Sequence, residues 1–201
     1  TRSVTTENDL VAKIESVNPA GGTVVVTKDV PIYEQYYEQF NPWGMFGGGF
    51  SIPRTRESGT EEREVGGGSG FIVSEEGLVV TNRHVVSDNE ARYSILMNDG
   101  KTFAVEVLAR DQLLDIAILK INDLPNDTKL THLSFGDSEG LKLGQSVVAI
   151  GNALAEFRNS VSVGVVSGLS RSITATDELG RSENLDQVIQ TDAAINPGNS
   201  G

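Results

Sequence analysis

Short apolar segments separated by turn residues constrain the fold of this 201-residue chain more than any other feature of its sequence. From Gly70 onward these segments are rich in β-branched residues and are bounded by Gly, Asn, Asp or Ser, a pattern typical of strands joined by tight turns. They cover residues 70–73, 78–81, 92–97, 102–108, 115–121, 146–150, 160–169 and 186–190. Strands at this spacing, with almost no helical periodicity, predict an all-β fold of antiparallel barrels or a sandwich.

The first 69 residues have a different character. Residues 10–28 predict an opening strand region, in which Val11, Ile14 and Val17 precede a β-branched run at 23–27. Residues 29–69 follow no period and are predicted to form a long loop, and such loops are uncommon inside compact domains. Its aromatic half is interpreted as a contact surface for another subunit or a lid, or else as a locally packed satellite core.

The remaining turn and linker residues of the sequence predict that the chain is divided into two parts. Residues 1–125 would hold the N-terminal strand region, the long loop at about 29–69 and a first barrel, and residues 126–201 a partial second barrel. The linker is expected at 125–127. The charged stretch 54–64 is expected to be mobile, and the polar stretch 174–184 is expected to form a loop.

Composition excludes several classes of protein. The formal net charge of -12 disfavours nucleic acid and anionic membrane as partners, because both would repel the chain. The absence of cysteine excludes a disulfide framework and a thiol nucleophile, but it leaves the compartment open. No stretch reaches the roughly 18 apolar residues that a membrane span requires. The N-terminus lacks the apolar segment of a signal peptide, as a mature exported chain would.

Three motifs carry the chemistry, in the chain order histidine, aspartate, serine. They are Thr81-Asn82-Arg83-His84-Val85-Val86, Leu113-Leu114-Asp115-Ile116-Ala117-Ile118-Leu119 and Gly198-Asn199-Ser200-Gly201. A serine hydroxyl attacks well only when an adjacent base removes its proton, and an imidazole oriented by a carboxylate supplies that base. The small Gly198 would let its amide and that of Ser200 point into one space and bind an oxyanion. Together the motifs indicate acyl transfer.

Two of these motifs also have a simpler interpretation. Asp115 alone could be a strand-end turn or cap, and the turn around Ser200 could be only a turn. His132 has no glycine or carboxylate motif around it and is expected to be a surface residue. The glycine run 66–70 lacks the residues of a phosphate-binding loop and is interpreted as a hinge. No cluster has metal-ligand spacing, so neither a metal nor another cofactor is expected.

The chain resembles the HtrA/Deg-type serine proteases of the trypsin-like superfamily, from about Val11 to Gly201. The resemblance is densest in the segments 68–73, 80–86, 115–120, 144–152 and 190–201. It implies a chymotrypsin-like fold of two six-stranded antiparallel β-barrels, the second incomplete in this chain. It also implies His84 as the base, Asp115 as its orienter and Ser200 as the nucleophile, with Gly198 and Asn199 lining the oxyanion turn.

The resemblance extends to biology. Such enzymes are ATP-independent, degrade unfolded proteins outside the cytoplasm of bacteria and usually form trimers, so a periplasmic or otherwise extracytoplasmic homo-oligomer is implied. The aromatic loop near 30–50 matches the family's oligomer-contact loop, and the stretch near 172–186 matches its regulatory loop. A non-cleaving chaperone or peptide-binding scaffold of the same fold is the alternative, and Ser200→Ala separates the two.

The C-terminal segment bears on the cleavage preference and on whether this chain holds a whole second barrel. Tryptic relatives carry an acidic residue six positions before the nucleophile, where this chain has Ala194, so cleavage after small aliphatic residues is expected, with Ile195 as a pocket wall. Asp192 would overturn this preference if a shifted turn brought it inward. No strands follow Ser200 to close a second barrel and no PDZ domain is present, so the 201-residue polypeptide alone is expected to be inactive.

Overall fold

The computed structural model describes residues 2–40, 50–125, 128–152, 160–176 and 182–195. Within these ranges the chain forms a single α-helix, two 3₁₀ turns and nine β-strands. They are α1 (Arg2–Val17), β1 (Gly21–Phe40), β2 (Phe50–Ile72), β3 (Leu78–Asn82), β4 (Arg92–Met97), β5 (Thr102–Asp111), β6 (Ile116–Ile121), β7 (Ser146–Gly151), β8 (Ser160–Thr176) and β9 (Ser182–Thr191), with 3₁₀ turns at Asn18–Ala20 and Arg83–Val86. Among the described residues, no helix is long and apolar enough to cross a membrane.

Six strands close into a barrel in the order β1-β2-β3-β6-β5-β4. The pairs with a recorded register, β2–β3, β3–β6, β4–β5 and β5–β6, are antiparallel. Alternate residues of β4 and β6 face inward, as the period of two in their sequences dictates. The buried cluster comprises Val24, Val26, Ile72, Val79, Val86, Tyr93, Ile95, Met97, Val105, Ala117, Leu119 and Ile121. This core fixes the strands that lead to the candidate site.

A second sheet has the order β7-β8-β9, and both of its pairs are antiparallel. Ser146 pairs with Val165 at one end of the β7–β8 ladder and Gly151 with Ser160 at the other. The β8–β9 ladder begins at Val166 opposite Thr191 and shifts register three times. The prediction of an all-β fold with a barrel and a second antiparallel sheet is confirmed.

The strand expected at residues 10–17 is wrong, because these residues lie in α1. Leu10, Ile14 and Val17 are half-buried while the residues between them are exposed, which is the i, i+4, i+7 spacing of one helix face. Pro19 follows in the next 3₁₀ turn and cannot continue the helix. The β-branched run at 23–27 does lie in a strand, within β1.

The long loop expected at 29–69 is also wrong over the described residues, which are the extended parts of β1 and β2. Residues 27–65 form a compact unit separate from the unit formed by 1–26 and 66–201. In the smaller unit Arg54 pairs with Glu38 at 2.6 Å and Arg56 with Glu34 at 3.8 Å. Opposite charges that face each other across neighbouring strands favour such pairing, and the charged stretch lies in a strand. Residues 41–49 lie outside the described residues.

Two smaller expectations also need correction. The glycine run 66–70, which was expected to be a hinge that precedes a strand, lies inside the strand β2. A Cβ at Gly70 would meet the Val24 side chain at 2.9 Å, so close packing explains that glycine. The described parts of the stretch 174–184 belong to β8 and β9, because their backbones pair between Thr174 and Asn184.

Candidate active site

The barrel brings His84 and Asp115 together from two strands. His84 lies in the 3₁₀ turn that begins directly after β3, and Asp115 directly precedes β6. Because β3 and β6 are antiparallel with Asn82 opposite Ile116, the end of one strand adjoins the start of the other. His84 and Asp115 are 31 positions apart, and the chain between them contains β4, β5 and their turns, as a hairpin return requires.

Two hydrogen bonds join His84 to the Asp115 carboxylate, one from its ring and one from its backbone. The imidazole Nδ1 lies 2.7 Å from Asp115 Oδ2, and the His84 backbone N–H donates to Oδ1 at 2.9 Å. An ionised carboxylate can only accept a hydrogen bond, so this contact favours the tautomer with the hydrogen on Nδ1, in which the neutral ring has its lone pair on Nε2. The His84 side chain is 44% exposed, whereas that of Asp115 is 10% exposed. A largely buried carboxylate therefore contacts one nitrogen of a half-exposed imidazole.

The backbone of Asp115 is strained. Its φ of 52° lies in the left-handed region, which costs a residue other than glycine about 1 kcal/mol or more. Two donors hold its carbonyl oxygen, the Arg83 N–H at 2.9 Å and Asn82 Nδ2 at 3.0 Å. Arg83 Nε lies 3.7 Å from Oδ1. These contacts fix the direction in which the carboxylate points.

Asn82 and Arg83 are therefore site residues to which the sequence analysis gave no role. Both directly precede His84 in the motif Thr81-Asn82-Arg83-His84-Val85-Val86. Polar residues at the end of a buried strand need hydrogen-bond partners, and this could have identified them from the sequence. The strain at Asp115 had a weaker signal, because aspartate tolerates the left-handed region better than most residues do.

The far end of the 3₁₀ turn is anchored to the barrel wall. Val86 is fully buried, and its carbonyl accepts a hydrogen bond from Arg110 Nε at 2.7 Å. The Tyr93 hydroxyl donates to the Asp88 carbonyl at 2.5 Å, and burial raises the pKa of that hydroxyl. The turn that carries His84 is thus held at both ends.

The other residues predicted for the site are divided between described and undescribed parts of the chain. Gly198, Asn199 and Ser200 lie outside the described residues. Ala194 and Ile195 are described and exposed, and the Ala194 carbonyl accepts a hydrogen bond from Ser162 Oγ at 2.7 Å. Asp192 is directed to β8, where its Oδ1 accepts the Val165 N–H at 2.6 Å.

Two further features bear on alternative chemistry. His132 is exposed, in a segment without regular structure. Over the described ranges, no three His, Cys, Asp or Glu side chains are grouped so that they could hold a metal ion.

The sequence of the chain matches a known family. The profile of the family described as "Trypsin-like peptidase domain" matches residues 68–201, two thirds of the chain, and the chain belongs to that family. Within it, the chain is an HtrA/Deg-type protease domain, as its relatives show.

Among curated relatives, the putative serine protease HhoA of Synechocystis is 34% identical over 98% of this chain and 48% of its own length. A probable periplasmic serine endoprotease DegP-like of Chlamydia pneumoniae is 37% identical over 84% of this chain and 32% of its own length. The chain thus spans half or less of the curated relatives it matches.

Solved structures agree on the fold. The HtrA-type protease AlgW with decapeptide superposes with a TM-score of 0.64 at 32% identity, covering 94% of this chain and 52% of that one. Deg5 superposes with a TM-score of 0.65 at 26% identity, covering 98% of this chain and 78% of that one. The predicted chymotrypsin-like architecture is confirmed by these neighbours.

Proposed function

We propose that the full-length protein is an ATP-independent serine endopeptidase that degrades unfolded or misfolded proteins. The observation that carries the proposal is the His84–Asp115 pair, with Nδ1 and Oδ2 2.7 Å apart and the ring half exposed. The described barrel core is apolar and does not need a histidine–carboxylate pair at the end of a strand. General-base catalysis does need a carboxylate that orients an imidazole.

In the proposed mechanism, Ser200 attacks the scissile carbonyl while His84 Nε2 takes its proton. Asp115 holds the ring and stabilises the imidazolium without taking the proton itself. The amides of the turn formed by Gly198, Asn199 and Ser200 bind the oxyanion of the tetrahedral intermediate. His84 then gives the proton to the leaving amine, and water hydrolyses the acyl-enzyme by the same steps.

We propose that the enzyme cleaves after small aliphatic residues. Ala194, six positions before Ser200, offers a cationic side chain no partner, and Ile195 is available as an apolar wall. Preferred cleavage after Lys or Arg in a peptide library would contradict this preference.

The proposed setting is a homotrimer or larger homo-oligomer outside the cytoplasm. The names of the DegP-like relatives describe them as periplasmic, which supports this location. The exposed tyrosines Tyr33, Tyr36 and Tyr37 support the smaller unit as a contact surface, since aromatic side chains are enriched at interfaces. Analytical ultracentrifugation of the full-length protein tests the assembly, and a monomer at micromolar concentration would contradict it.

We further propose a division into residues 1–125 and 126–201, and that a polypeptide of residues 1–201 alone is inactive. Within the described residues the second sheet has three strands, one of which, β8, carries exposed apolar side chains such as Val161 and Val163. Labelling of that polypeptide by a fluorophosphonate would contradict the inactivity.

Proteolysis of an unfolded protein such as reduced casein tests the function directly. The full-length protein should degrade it without ATP, and Ser200→Ala should abolish the cleavage while leaving folding intact. If Ser200→Ala retains the parent's rate, the assignment of the nucleophile is wrong. If neither protein cleaves but both suppress aggregation of the substrate, the chain is a peptide-binding scaffold instead.

A further inference from the structure

The chain remains tied to the second sheet after β9 has ended. Regular pairing stops with Thr191 opposite Val166. Beyond it the Val165 N–H donates to Asp192 Oδ1 at 2.6 Å, and the Asp192 N–H approaches the Val165 carbonyl at 3.4 Å. Ser162 Oγ then donates to the Ala194 carbonyl at 2.7 Å. Two side chains thus extend the ladder by three residues toward Ser200.

Glycine at 164 is what permits this approach. A Cβ there would lie 2.4 Å from the Ala193 nitrogen, 2.4 Å from Asp192 Oδ1 and 2.8 Å from the Ala193 Cα. Two of these three atoms belong to the backbone, so a side chain could fit only if the segment moved away from β8. The backbone of Gly164 is not in the left-handed region. Glycine is therefore required because there is no room for a side chain, and not because of the backbone conformation.

The segment is also fixed on its other side. Ala193 is 6% exposed, and its N–H donates to Thr191 Oγ1 at 3.0 Å. A carboxylate that accepts a backbone N–H makes a shorter and stronger bond than a neutral group does. Among the described residues 192–194, Asp192 thus contributes a charge-assisted hydrogen bond of 2.6 Å to β8, next to the 2.7 Å bond of Ser162 to Ala194.

We propose that Asp192, which packs against Gly164, is a positioning residue that determines the course of the chain between β9 and Ser200. The inference rests on the proposed function, in which Ser200 attacks the substrate. A reacting group displaced by 1 Å can lose about 10²-fold in rate, so a link eight residues before Ser200 is able to control catalysis without touching the substrate.

The same geometry assigns Asp192 no part in substrate preference. Its carboxylate lies against the β8 backbone, 2.6 Å from the Val165 nitrogen and 2.4 Å from the Cβ position of Gly164. Because Oδ1 is bonded to β8, and because Ala194, not Asp192, lies six positions before Ser200, we expect basic substrate side chains not to pair with this carboxylate. The preference between aliphatic and basic residues should therefore not depend on this carboxylate.

The test compares Asp192→Ala, Asp192→Asn, Gly164→Ala and the control Gly136→Ala in the full-length protein. Gly136 is exposed with open space around its Cβ position. We expect the rate constant for acylation by a fluorophosphonate to fall about 10²-fold in Asp192→Ala and Gly164→Ala. Asp192→Asn keeps an acceptor oxygen and should restore part of the rate, and Gly136→Ala should match the parent.

Peptide hydrolysis separates positioning from simpler roles. In Asp192→Ala, kcat should fall with KM nearly unchanged, and the ratio of cleavage after Val to cleavage after Arg should stay that of the parent. Urea unfolding identifies any variant that does not fold. If Gly164→Ala fails to fold, the two Asp192 variants decide.

Three results overturn the inference. Acylation of Asp192→Ala at the parent's rate would show that the link does not matter. A changed Val/Arg ratio would make Asp192 a specificity residue, and equal losses in Asp192→Asn and Asp192→Ala would remove the role of the accepting oxygen. In each case a parent protein labelled at Ser200 leaves the proposed function standing. If the parent is not labelled at Ser200, the proposed function fails first and the inference fails with it.

Discussion

The closed barrel and the three-stranded sheet hold their parts of the chain by different means. The barrel supports His84 and Asp115 with a continuous apolar core that runs from Val24 to Ile121. In the described part of the sheet, Val166 is buried, whereas Val161 and Val163 are exposed. The chain leaving that sheet is held instead by hydrogen bonds and by the close approach at Gly164. Packing therefore holds the proposed base, and a few specific contacts hold residues 192–194 against β8.

A buried polar cluster joins the two regions. The Asn152 N–H, just after β7, donates to Ser69 Oγ at 2.7 Å, and the Asn152 carbonyl accepts Thr23 Oγ1 at 2.8 Å. Thr81 Oγ1 donates to the Ser69 carbonyl at 2.7 Å, one residue before Asn82. A chain of polar contacts thus runs from the second sheet to β3, the strand that precedes His84.

The largest expected effect concerns the pair itself. Asp115→Asn keeps the shape of the side chain but removes the acceptor-only carboxylate, so the ring is no longer held in the tautomer that leaves Nε2 free. In another protease of this mechanism the equivalent change lowers kcat about 10⁴-fold, and we expect a loss of that order. Peptide hydrolysis by the full-length protein measures it. A loss below tenfold would mean that the barrel's preorganised pair is not the catalytic one.

The next largest effect is the loss of stability on truncating a leucine in the barrel core, compared with a leucine in the loop before the second sheet. Leu119 is fully buried and Leu143, in the loop before β7, is 67% exposed. Leu119→Ala should lower the free energy of unfolding by about 2–5 kcal/mol, since it leaves a cavity. Leu143→Ala should change it by about 0.5 kcal/mol or less. Urea titration compares them, and equal costs would contradict the contrast between the two regions.

A smaller effect is expected in the polar cluster between the regions. Ser69→Ala removes the acceptor of the buried Asn152 N–H and should cost about 1–3 kcal/mol of stability. The exposed Ser134→Ala is the matched control and should cost almost nothing. Hydrogen exchange at the Asn152 amide should accelerate in Ser69→Ala alone. An unchanged exchange rate there would show that the two regions are not linked through Ser69.

The smallest effect is expected in the separate unit formed by residues 27–65. Arg54→Ala breaks the exposed pair with Glu38, and exposed pairs contribute about 1 kcal/mol at most. Thermal unfolding should shift little, and peptide hydrolysis should match that of the parent. A large loss of stability would show that this pair does more than join two exposed strands.

The sequence predicted the parts of the fold that depend on local patterns. The hairpin from Phe71 to Val80 and the strands at 92–97 and 116–121 follow from alternation and turn residues. The His84–Asp115 pair follows from a resemblance in two motifs, and the structure brings its members together.

The remainder depended on contacts that the sequence does not display. Helix α1 was missed because a β-branched sequence at Val11 and Ile14 concealed a helical spacing. The extended arms of β1 and β2 depend on pairing across the chain, such as that of Arg54 with Glu38, and not on a local period. The strain at Asp115 and the need for glycine at 164 are properties of close approach, visible only when distant segments meet.

A crystal structure of the full-length protein acylated at its nucleophile would test the central claim most directly. The account predicts that the reagent is bonded to Ser200 Oγ and that His84 Nε2 lies within about 2.6–3.2 Å of that oxygen, with the Asp115 contact to Nδ1 retained. Modification of a different residue, or an imidazole and a Ser200 side chain on opposite faces of the molecule, would contradict it.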